Sequence, residues 1–367
     1  MIWYLLNIAI ITFVWFWPVR EYAQSGLLYT AEERKKIQRK RFCIIATFNW
    51  IILSGCRAIW VGPDTEAYKT VRFDKTIGRS WGSIIRDFYA KYIQGADIKD
   101  PGYPLIEKIF QIFSTNYQVF LIGIAVLFFV TMGVFIYKYS RQPYVSFVLF
   151  SSLFYTFFAI TGHRQTIVTA IVVFMGIELI KKRKLIPFVS IVLLCYKVNK
   201  SALCFLPFYW FSKIKINSVT LAIYWVCTVL AFIFRYQLLE FLQLLIGYEQ
   251  YQDNEGASGG TFMVLLLLVG VVVTMFHKVI LKKNNLLIET SINALMIACF
   301  FSPLLFINQS FMRVIQYYSL FLLVLLPEIG VIFKDDTDKG IFYAICCIVM
   351  IFLLSQQPAG YAFFFWP

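Results

Sequence analysis

The stretch YQVFLIGIAVLFFVTMGVFIY (residues 117–137) decides the fold class, because it contains no charged side chain. A helix rises about 1.5 Å per residue, so a stretch of this length matches the roughly 30 Å hydrocarbon core of a bilayer. Similar runs recur along almost the whole chain, which is 60% hydrophobic and 15% charged. This composition excludes a water-soluble globular domain. The sequence therefore predicts an all-α, polytopic integral membrane protein.

Twelve apolar runs predict about twelve transmembrane helices in one domain that covers residues 1–367. The basic loops between them then fall on one side, as the positive-inside rule requires, and both termini face outward. Residues 185–212 are ambiguous, because two segments flank VNKSA and each is short for a crossing, so a re-entrant hairpin is an alternative. The predicted helices cover residues 2–18, 42–60, 117–137, 144–161, 165–180, 185–198, 201–212, 217–234, 262–281, 287–307, 313–333 and 340–357.

The charge and cysteine content argue against several other classes of protein. A net charge of +14 does not predict nucleic-acid binding here, since Lys and Arg in a membrane protein first set its topology. The eight cysteines lie in or beside apolar runs, at spacings that fit neither a zinc site nor a disulfide framework. Asp64 and Glu66 have a spacing that can hold a divalent ion on a loop, but two carboxylates are too weak a pattern. No metal and no cofactor are predicted.

Two sizeable loops are predicted on the outward side. The larger, about residues 61–116, contains apolar residues at helical spacing between positions 77 and 92, which predicts an amphipathic helix in the membrane interface. The second, about residues 236–261, begins with the apolar stripe LLEFLQLL. It then becomes polar and glycine-rich at GYEQYQDNEGASGG (residues 247–260), a composition that predicts a mobile segment able to cover a site.

Four arginines fall at or just inside the outer ends of the predicted helices, against the positive-inside trend. The planar guanidinium fork suits phosphate or pyrophosphate at a membrane surface, and snorkelling to lipid headgroups is the alternative for each residue. Few ionisable residues fall near the predicted bilayer midplane, which argues against an ion-coupled transporter. The outer basic residues are Arg57, Arg164, Arg235 and Arg313, with Lys197 and Lys200 around Asn199.

Three residues near these arginines are candidates for proton transfer in a glycosyl transfer. Asp64 and Asp100 lie in the larger outer loop, and either carboxylate could take a proton from an attacking hydroxyl. His163 could do so instead, because its ordinary pKa lies near neutrality. The alternative for all three is a polar group that stabilises a loop. Nearby tyrosines fit an interfacial belt or a groove in which rings stack on sugars.

These motifs resemble the EpsG family of Wzy-type polysaccharide polymerases, integral membrane proteins that join lipid-linked oligosaccharide repeat units. Arg57 followed by VGPDTEAY is similar to the family's R…G-x-D-x-x-x-Y pattern. DPGYPLIEKI (100–109) and HRQTIVTAI (163–171) are similar to its acidic-x-G-Y segment and its R-Q-x-(I/L)-A helix start. VNKSALCFLPFYW (198–210) and RVIQYYSLFLLVLLP (313–327) support the match, which is spread over most of the chain.

Three positions depart from the family pattern. Asn199 stands where His is expected, which leaves that position a hydrogen-bonding group and not a base. Asp100 stands where Glu is common. Thr65 stands where Tyr usually follows the first Asp, a change expected to alter sugar specificity more than chemistry.

The resemblance implies an enzyme that polymerises undecaprenyl-pyrophosphate-linked repeat units into exopolysaccharide, capsule or O-antigen. It implies a multi-pass protein of the bacterial cytoplasmic membrane whose active face is periplasmic or extracellular. Donor and acceptor would both be lipid-linked oligosaccharides, and a chain-length regulator and a flippase of the same pathway are expected partners. A transporter or flippase of such lipids and an O-antigen-ligase-like glycosyltransferase are the alternatives.

The same resemblance, together with the charge pattern, assigns expected roles to thirteen residues. Arg164, near the N-terminus of its helix, would hold the donor pyrophosphate as the glycosidic bond breaks, and Asp64 or His163 would deprotonate the acceptor hydroxyl. The expected catalytic residues are Asp64, His163 and Arg164, and the expected substrate-binding residues are Arg57, Tyr68, Arg72, Asp100, Tyr103, Gln165, Asn199, Lys200, Arg313 and Tyr317.

Overall fold

The computed structural model describes residues 1–19, 29–246, 260–283, 285–357 and 360–365, and in these ranges the regular structure is helical, which confirms the all-α class. The α-helices are Ile2–Phe16, Ala31–Gly55, Thr65–Ala67, Asp74–Ile77, Trp81–Tyr92, Gly102–Gln111, Tyr117–Tyr139, Pro143–Leu153, His163–Thr169, Gly176–Lys181, Leu185–Val198, Phe208–Phe211, Ser218–Ile233, Arg235–Ile246, Gly260–Ile280, Leu286–Phe301, Met312–Ser319, Leu322–Ile329 and Asp336–Ser355. Wider π-helical turns cover Tyr68–Phe73, Thr156–Thr161 and Ala170–Met175. Tighter 3₁₀ turns cover Lys200–Phe205, Leu281–Lys283, Ser302–Phe306, Gln309–Phe311 and Gly330–Ile332.

The helices indicate an integral membrane protein, but the predicted count of twelve spans is not confirmed. Within the described ranges, five helices are long and apolar enough to cross a membrane, and seven if two sharply bent pairs each form one span. Several predicted spans are too short or interrupted. Ile2–Phe16 has 15 residues, Leu185–Val198 has 14, and the helix Pro143–Leu153 has 11 before a π turn begins at Thr156. Helix ends, π turns and bends that fall inside the apolar runs account for the difference.

The ambiguous region 185–212 contains no second long helix. After Leu185–Val198 the chain forms a 3₁₀ turn, Lys200–Phe205, and a four-residue helix, Phe208–Phe211. A helix of 14 residues is about 21 Å long, shorter than the hydrocarbon core. Neither half of this region is long enough to span a bilayer alone.

The described helices form two compact units. The first comprises Met1–Phe174, Lys197–Asn199 and Ala344–Pro367, and the second comprises Met175–Tyr196 and Lys200–Tyr343. In the second unit an aromatic cluster fills the core, with Phe205, Phe208 and Tyr318 in mutual contact. Polar side chains cross-link its helices, since Tyr224 donates to Asn293 Oδ1 at 2.9 Å. Such bonds satisfy polar groups in apolar surroundings.

The first unit is built around the helices Ala31–Gly55 and Tyr117–Tyr139. The first begins at a capping box, in which Thr30 and Glu33 satisfy each other's backbone N–H groups. The two helices approach closely at glycines: a Cβ on Gly55 would lie 3.0 Å from Ile122 Cα, and one on Gly133 would collide with the Thr47 hydroxyl. Small residues at the crossing allow the close packing that holds helices together in lipid.

Aromatic rings fill the core of the first unit. Trp50 is fully buried, stacks on Phe129 at 5.6 Å and meets Phe150 edge-on at 5.1 Å. Offset and edge-on ring pairs add about 0.5–1.5 kcal/mol each beyond the area that they bury. This core supports the end of the helix Ala31–Gly55, from which the chain enters the larger outer loop.

The predicted outer-loop features are partly visible. A helix forms at Trp81–Tyr92, within the predicted amphipathic segment, with Ser80 capping its N-terminus and Ile84 buried. The apolar stripe of the second loop lies in the helix Arg235–Ile246, bent by 90° from Ser218–Ile233. The polar segment predicted to cover a site, residues 247–260, lies outside the described residues except for its last position.

Candidate functional site

In the first unit, two motifs that are distant in sequence meet at the buried guanidinium of Arg57. Arg57 follows Cys56, the C-cap residue of the helix Ala31–Gly55, and the residue is 2% exposed. Nη2 donates to the Ile160 carbonyl at 3.0 Å and lies 2.7 Å from His163 Nε2, while Nη1 donates to the Ser54 carbonyl. The Arg57 guanidinium thus connects the end of one helix to the turn that precedes another.

The contacts of His163 define which ring nitrogen carries the proton. Because the Arg57 guanidinium can only donate, Nε2 accepts, and the proton of the neutral ring lies on Nδ1. Nδ1 lies 3.4 Å from the Tyr117 hydroxyl, which in turn donates to the Thr65 carbonyl at 3.1 Å. His163 is 3% exposed, and both of its ring nitrogens take part in this series of polar contacts. The arrangement favours a positioning role for His163 over proton transfer.

The chain turns that bring these segments together require glycine. Gly62 has φ +93°, a conformation that favours glycine, and a Cβ there would collide with the Ile160 side chain. The Ile160 carbonyl accepts from both Arg57 and Thr65 Oγ1, the latter at 3.1 Å. The π-helical turn Thr156–Thr161 ends at Gly162, where a Cβ would lie 2.5 Å from the Phe157 ring. The motif glycines therefore serve close chain packing.

Arg164, Asp100 and Tyr68 form a second group, called here the Arg164 cluster. Arg164 Nη1 forms an ion pair with Asp100 Oδ2, and Nε donates to the Tyr68 hydroxyl at 3.2 Å. The Tyr68 ring contacts the His163 ring at 4.4 Å between centroids and the Tyr103 ring at 5.6 Å. The side chains of Arg164 and Asp100 are 13% and 6% exposed, so the pair is largely, but not fully, shielded.

Asp100 is held in an unusual backbone conformation. Its φ is +46°, in the left-handed region that few residues other than glycine adopt, although Asp is among those that tolerate it. Its second carboxylate oxygen, Oδ1, is buried without a hydrogen-bond partner in the part of the chain that the structure describes. Strained residues of this kind cluster at ligand sites. Asp100 thus combines a strained backbone with one carboxylate oxygen, Oδ1, that has no donor among the described residues.

Gly102 allows the segment after Asp100 to pack against residues near Asn199. A Cβ on Gly102 would lie 2.6 Å from the Lys197 backbone oxygen. Gly102→Ala is therefore expected to destabilise the protein by about 1–3 kcal/mol through overpacking and to lower the melting temperature in detergent. Gly82→Ala is the matched control, because a Cβ at this position of the helix Trp81–Tyr92 would meet only the Ser80 Oγ, at an ordinary contact distance of 4.0 Å. Equal melting temperatures for the two variants would contradict the expected clash.

Glu107 is a buried carboxyl group on the helix Gly102–Gln111. It is fully buried, and its Oε2 accepts from Thr76 Oγ1 at 2.9 Å. Burial raises the pKa of Glu107 to about 7, and the Thr76 hydrogen bond and the charge of Arg72 offset this only in part. The carboxyl group thus titrates near neutral pH and links this helix to Asp74–Ile77, which carries Thr76.

Glu107 is expected to make the stability of the protein depend on pH. A pKa raised on folding means that the folded state binds the extra proton, so the stability that Glu107 contributes is fully present below about pH 4.5 and is lost as pH rises through about 7. The loss is on the order of 3 kcal/mol. Glu107→Gln should remove this slope when the free energy of unfolding is measured between pH 5 and 8. An unchanged slope in the variant would contradict it.

The sequence profile of the EpsG family matches residues 40–367. The chain belongs to the EpsG family. Membership indicates a general role in polysaccharide polymerisation and is consistent with a glycosyltransferase-like enzyme. No curated protein and no solved structure matches the chain significantly. Within the described ranges of this EpsG-family protein, no three His, Cys, Asp or Glu side chains lie close enough to hold one metal ion.

The structure brings together the residues of three EpsG-like motifs, RAIWVGPDTEAY, DPGYP and HRQ, all in the first unit. Asp64 lies half-buried at the start of the helix Thr65–Ala67, and its carboxylate has no hydrogen bond or ion pair among the described residues. Arg72 lies close enough to Glu107 to influence its charge. The two remaining residues predicted for this unit, Gln165 and Asn199, are buried.

Three predicted residues of the EpsG-like motifs belong to the second unit. Lys200 begins the 3₁₀ turn Lys200–Phe205, and Arg313 lies in the helix Met312–Ser319. Tyr317 is fully buried, and its hydroxyl lies 2.9 Å from Ser201 Oγ. Substrate binding by these three residues stays a prediction.

Several residues of the site were not predicted from the sequence. Tyr117 lies in none of the motifs. Glu107 lies in DPGYPLIEKI but was given no role, although an acidic residue inside the apolar run YPLIEKIF was an available signal. The tail near the C-terminus was also missed: Ala58 N donates to Ala362 O at 2.8 Å, and Phe364 N donates to Cys56 O at 2.9 Å. The tail therefore fixes the backbone on both sides of Arg57.

Proposed function

We propose that this protein is a polysaccharide polymerase that joins undecaprenyl-pyrophosphate-linked repeat units at the outer face of the bacterial cytoplasmic membrane. Membership of the EpsG family supports the general role. The observation that carries the finer proposal is the Arg164 cluster, in which a guanidinium is held at the edge of a largely buried site by one carboxylate and one hydroxyl.

The Arg164 cluster suits an anionic donor group. The guanidinium has five N–H donors in a planar fork, which matches the oxygens of a phosphate. Asp100 and the Tyr68 hydroxyl use two of these donors, one on Nη1 and one on Nε. In the proposal, pyrophosphate oxygens bind the N–H donors of the Arg164 fork that Asp100 and Tyr68 leave free, and charge that builds on the leaving group is stabilised there.

The proposed reaction moves the growing glycan from its lipid to the next repeat unit. The acceptor hydroxyl oxygen attacks the anomeric carbon of the donor sugar, and the bond between that carbon and the pyrophosphate oxygen breaks. The electron pair leaves with undecaprenyl pyrophosphate, and the hydroxyl proton passes to Asp64, whose carboxylate is half-exposed. Arg57 and His163 position the backbone around this site, because both are buried and hydrogen-bonded to each other.

The in vitro test uses the purified full-length protein and a synthetic undecaprenyl-pyrophosphate repeat unit of the source strain. We expect a ladder of glycan lengths without added nucleotide sugar, since the lipid pyrophosphate itself is the leaving group. Folded protein that yields no ladder from intact substrate would overturn the proposal. An assay for movement of the same lipid across vesicles would then test the transporter alternative, and transfer to a different lipid acceptor would test the ligase alternative.

A further inference from the structure

An apolar groove runs along the outside of the helix pair Ala31–Gly55 and Tyr117–Tyr139, away from the Arg164 cluster. It encloses about 390 Å³. Large apolar side chains form its walls, and Thr47 and Gly133 lie where the helices are closest. The wall residues are Ile44, Phe48, Ile51, Val130 and Val134.

The groove exists because small residues separate large ones. Gly133 has no side chain at the crossing with Thr47, so the helices approach closely there. Ile44 and Phe48 project from one helix and Val134 from the other, and they are 58%, 59% and 46% exposed. A slot with such walls in a membrane protein faces lipid. Its apolar side chains can pack against an acyl chain without any directional contact.

Lys40 lies at one end of this groove and is available to a ligand. Arg39 donates to the Tyr137 carbonyl at 2.8 Å through Nε, and Arg41 donates to the carbonyls of Trp17 and Pro18. The Lys40 side chain, between them, is exposed and has no hydrogen bond or ion pair among the residues that the structure describes. The groove thus combines an apolar slot with the ammonium group of Lys40 at its end.

The length of the groove matches one leaflet of a bilayer. From Lys40 to Ile51 the helix rises about 16 Å, close to half of the roughly 30 Å hydrocarbon core. A lysine at the end of such a slot is placed at the level of lipid headgroups. One acyl chain of a lipid whose phosphate meets Lys40 therefore fits the groove in both length and charge.

We propose that this groove is a binding site for an anionic phospholipid, with one acyl chain between the two helices and the phosphate at Lys40. The site differs from that of the proposed lipid-linked substrate. Lys40 and Gly55 lie about 22 Å apart along the helix, and Arg57 and its partner His163 lie beyond the Gly55 end. A substrate with its pyrophosphate at Arg164 would have its headgroup at the wrong end of the groove.

The test is lipid binding by the purified full-length protein in detergent, followed by native mass spectrometry. The protein is titrated with phosphatidylglycerol or phosphatidylcholine that carry identical acyl chains. We expect one phosphatidylglycerol to bind about fivefold more tightly than phosphatidylcholine, the contribution of one lysine near an anionic surface. Lys40→Gln should remove that preference. Ile44→Trp, which fills the slot, should weaken the binding of both lipids.

Lys282→Gln is the matched control, because Lys282 is also an exposed lysine that the sequence places on the same side of the membrane. This variant should keep the full preference for phosphatidylglycerol. Equal binding of both lipids by the wild-type protein, or an unchanged preference in Lys40→Gln, would overturn the proposal. A wild-type dimer that Ile44→Trp converts to a monomer would overturn it too, by assigning the groove to a second copy. If Ile44→Trp does not fold, the Lys40→Gln comparison decides.

Discussion

Replacing Arg164 with lysine is expected to slow glycan chain growth on the order of 100-fold while the protein remains folded. Lysine keeps the positive charge but loses the planar fork, whose separate Nη1 and Nε atoms reach Asp100 and the Tyr68 hydroxyl and whose parallel N–H groups match two phosphate oxygens. The measurement is the initial rate of ladder formation from the lipid-linked repeat unit, at equal amounts of folded protein.

Arg79→Lys provides a matched control in the same outer loop. Arg79 pairs with Asp87 at 2.7 Å, but both side chains are more than a quarter exposed, and exposed pairs contribute about 0–1 kcal/mol. We expect Arg79→Lys to keep a near wild-type rate. Wild-type rates in both variants would exclude a role for the Arg164 fork.

Arg164→Ala, alone and combined with Asp100→Asn, distinguishes the effect of Arg164 on protein stability from its effect on the reaction rate. The single variant leaves the Asp100 carboxylate buried and unpaired, which costs about 3–5 kcal/mol. Adding Asp100→Asn removes that charge and should restore the melting temperature. The rate should stay low in the double variant, because the guanidinium is still absent. Recovery of both the melting temperature and the rate would mean that Arg164 serves only to neutralise the charge of Asp100.

Replacing Arg57 with methionine is expected to lower the free energy of unfolding on the order of 4 kcal/mol. The change leaves the Ser54 carbonyl and His163 Nε2 buried without their donor, and each unsatisfied group costs about 1–3 kcal/mol, more where a charged partner is lost. The Ile160 carbonyl keeps the Thr65 hydroxyl as a donor. The measurement is the melting temperature in detergent. It is made for the wild type and for Arg57→Met, each with and without the second substitution His163→Phe.

The His163→Phe variant tests whether Arg57 and His163 act together. If they do, His163→Phe should cost less in the Arg57→Met protein than in the wild type. Arg235→Met is the control, since Arg235 is a partly exposed arginine that donates to the Phe232 carbonyl of the preceding turn. Equal melting temperatures for Arg57→Met and Arg235→Met would contradict the buried role of Arg57.

Sequence patterns were sufficient to predict the fold class and the family, but not the number of membrane-spanning helices. The apolar run after Asn116 is a local signal, and the helix predicted there begins at Tyr117. The helix predicted over residues 42–60 begins earlier, at Ala31, because a capping box at Thr30 starts it ahead of the apolar run. No local signal of this kind marks the break in the helix after Leu153. There a π turn inserts into an apolar run, and nothing in the side chains from Thr156 to Thr161 distinguishes it from a regular helix.

The sequence by itself determined that the chain is helical, lies in a membrane and belongs to the EpsG family. The reason is that hydropathy depends on about 20 neighbouring residues, and motif spacing depends on their order alone. Only the tertiary structure decided that Arg57 is bonded to His163 while Arg164 meets Asp100. These pairs join residues 106 and 64 positions apart, through π turns, a left-handed Asp100 and the packing of separate helices. Such contacts depend on three-dimensional packing, which no local pattern encodes.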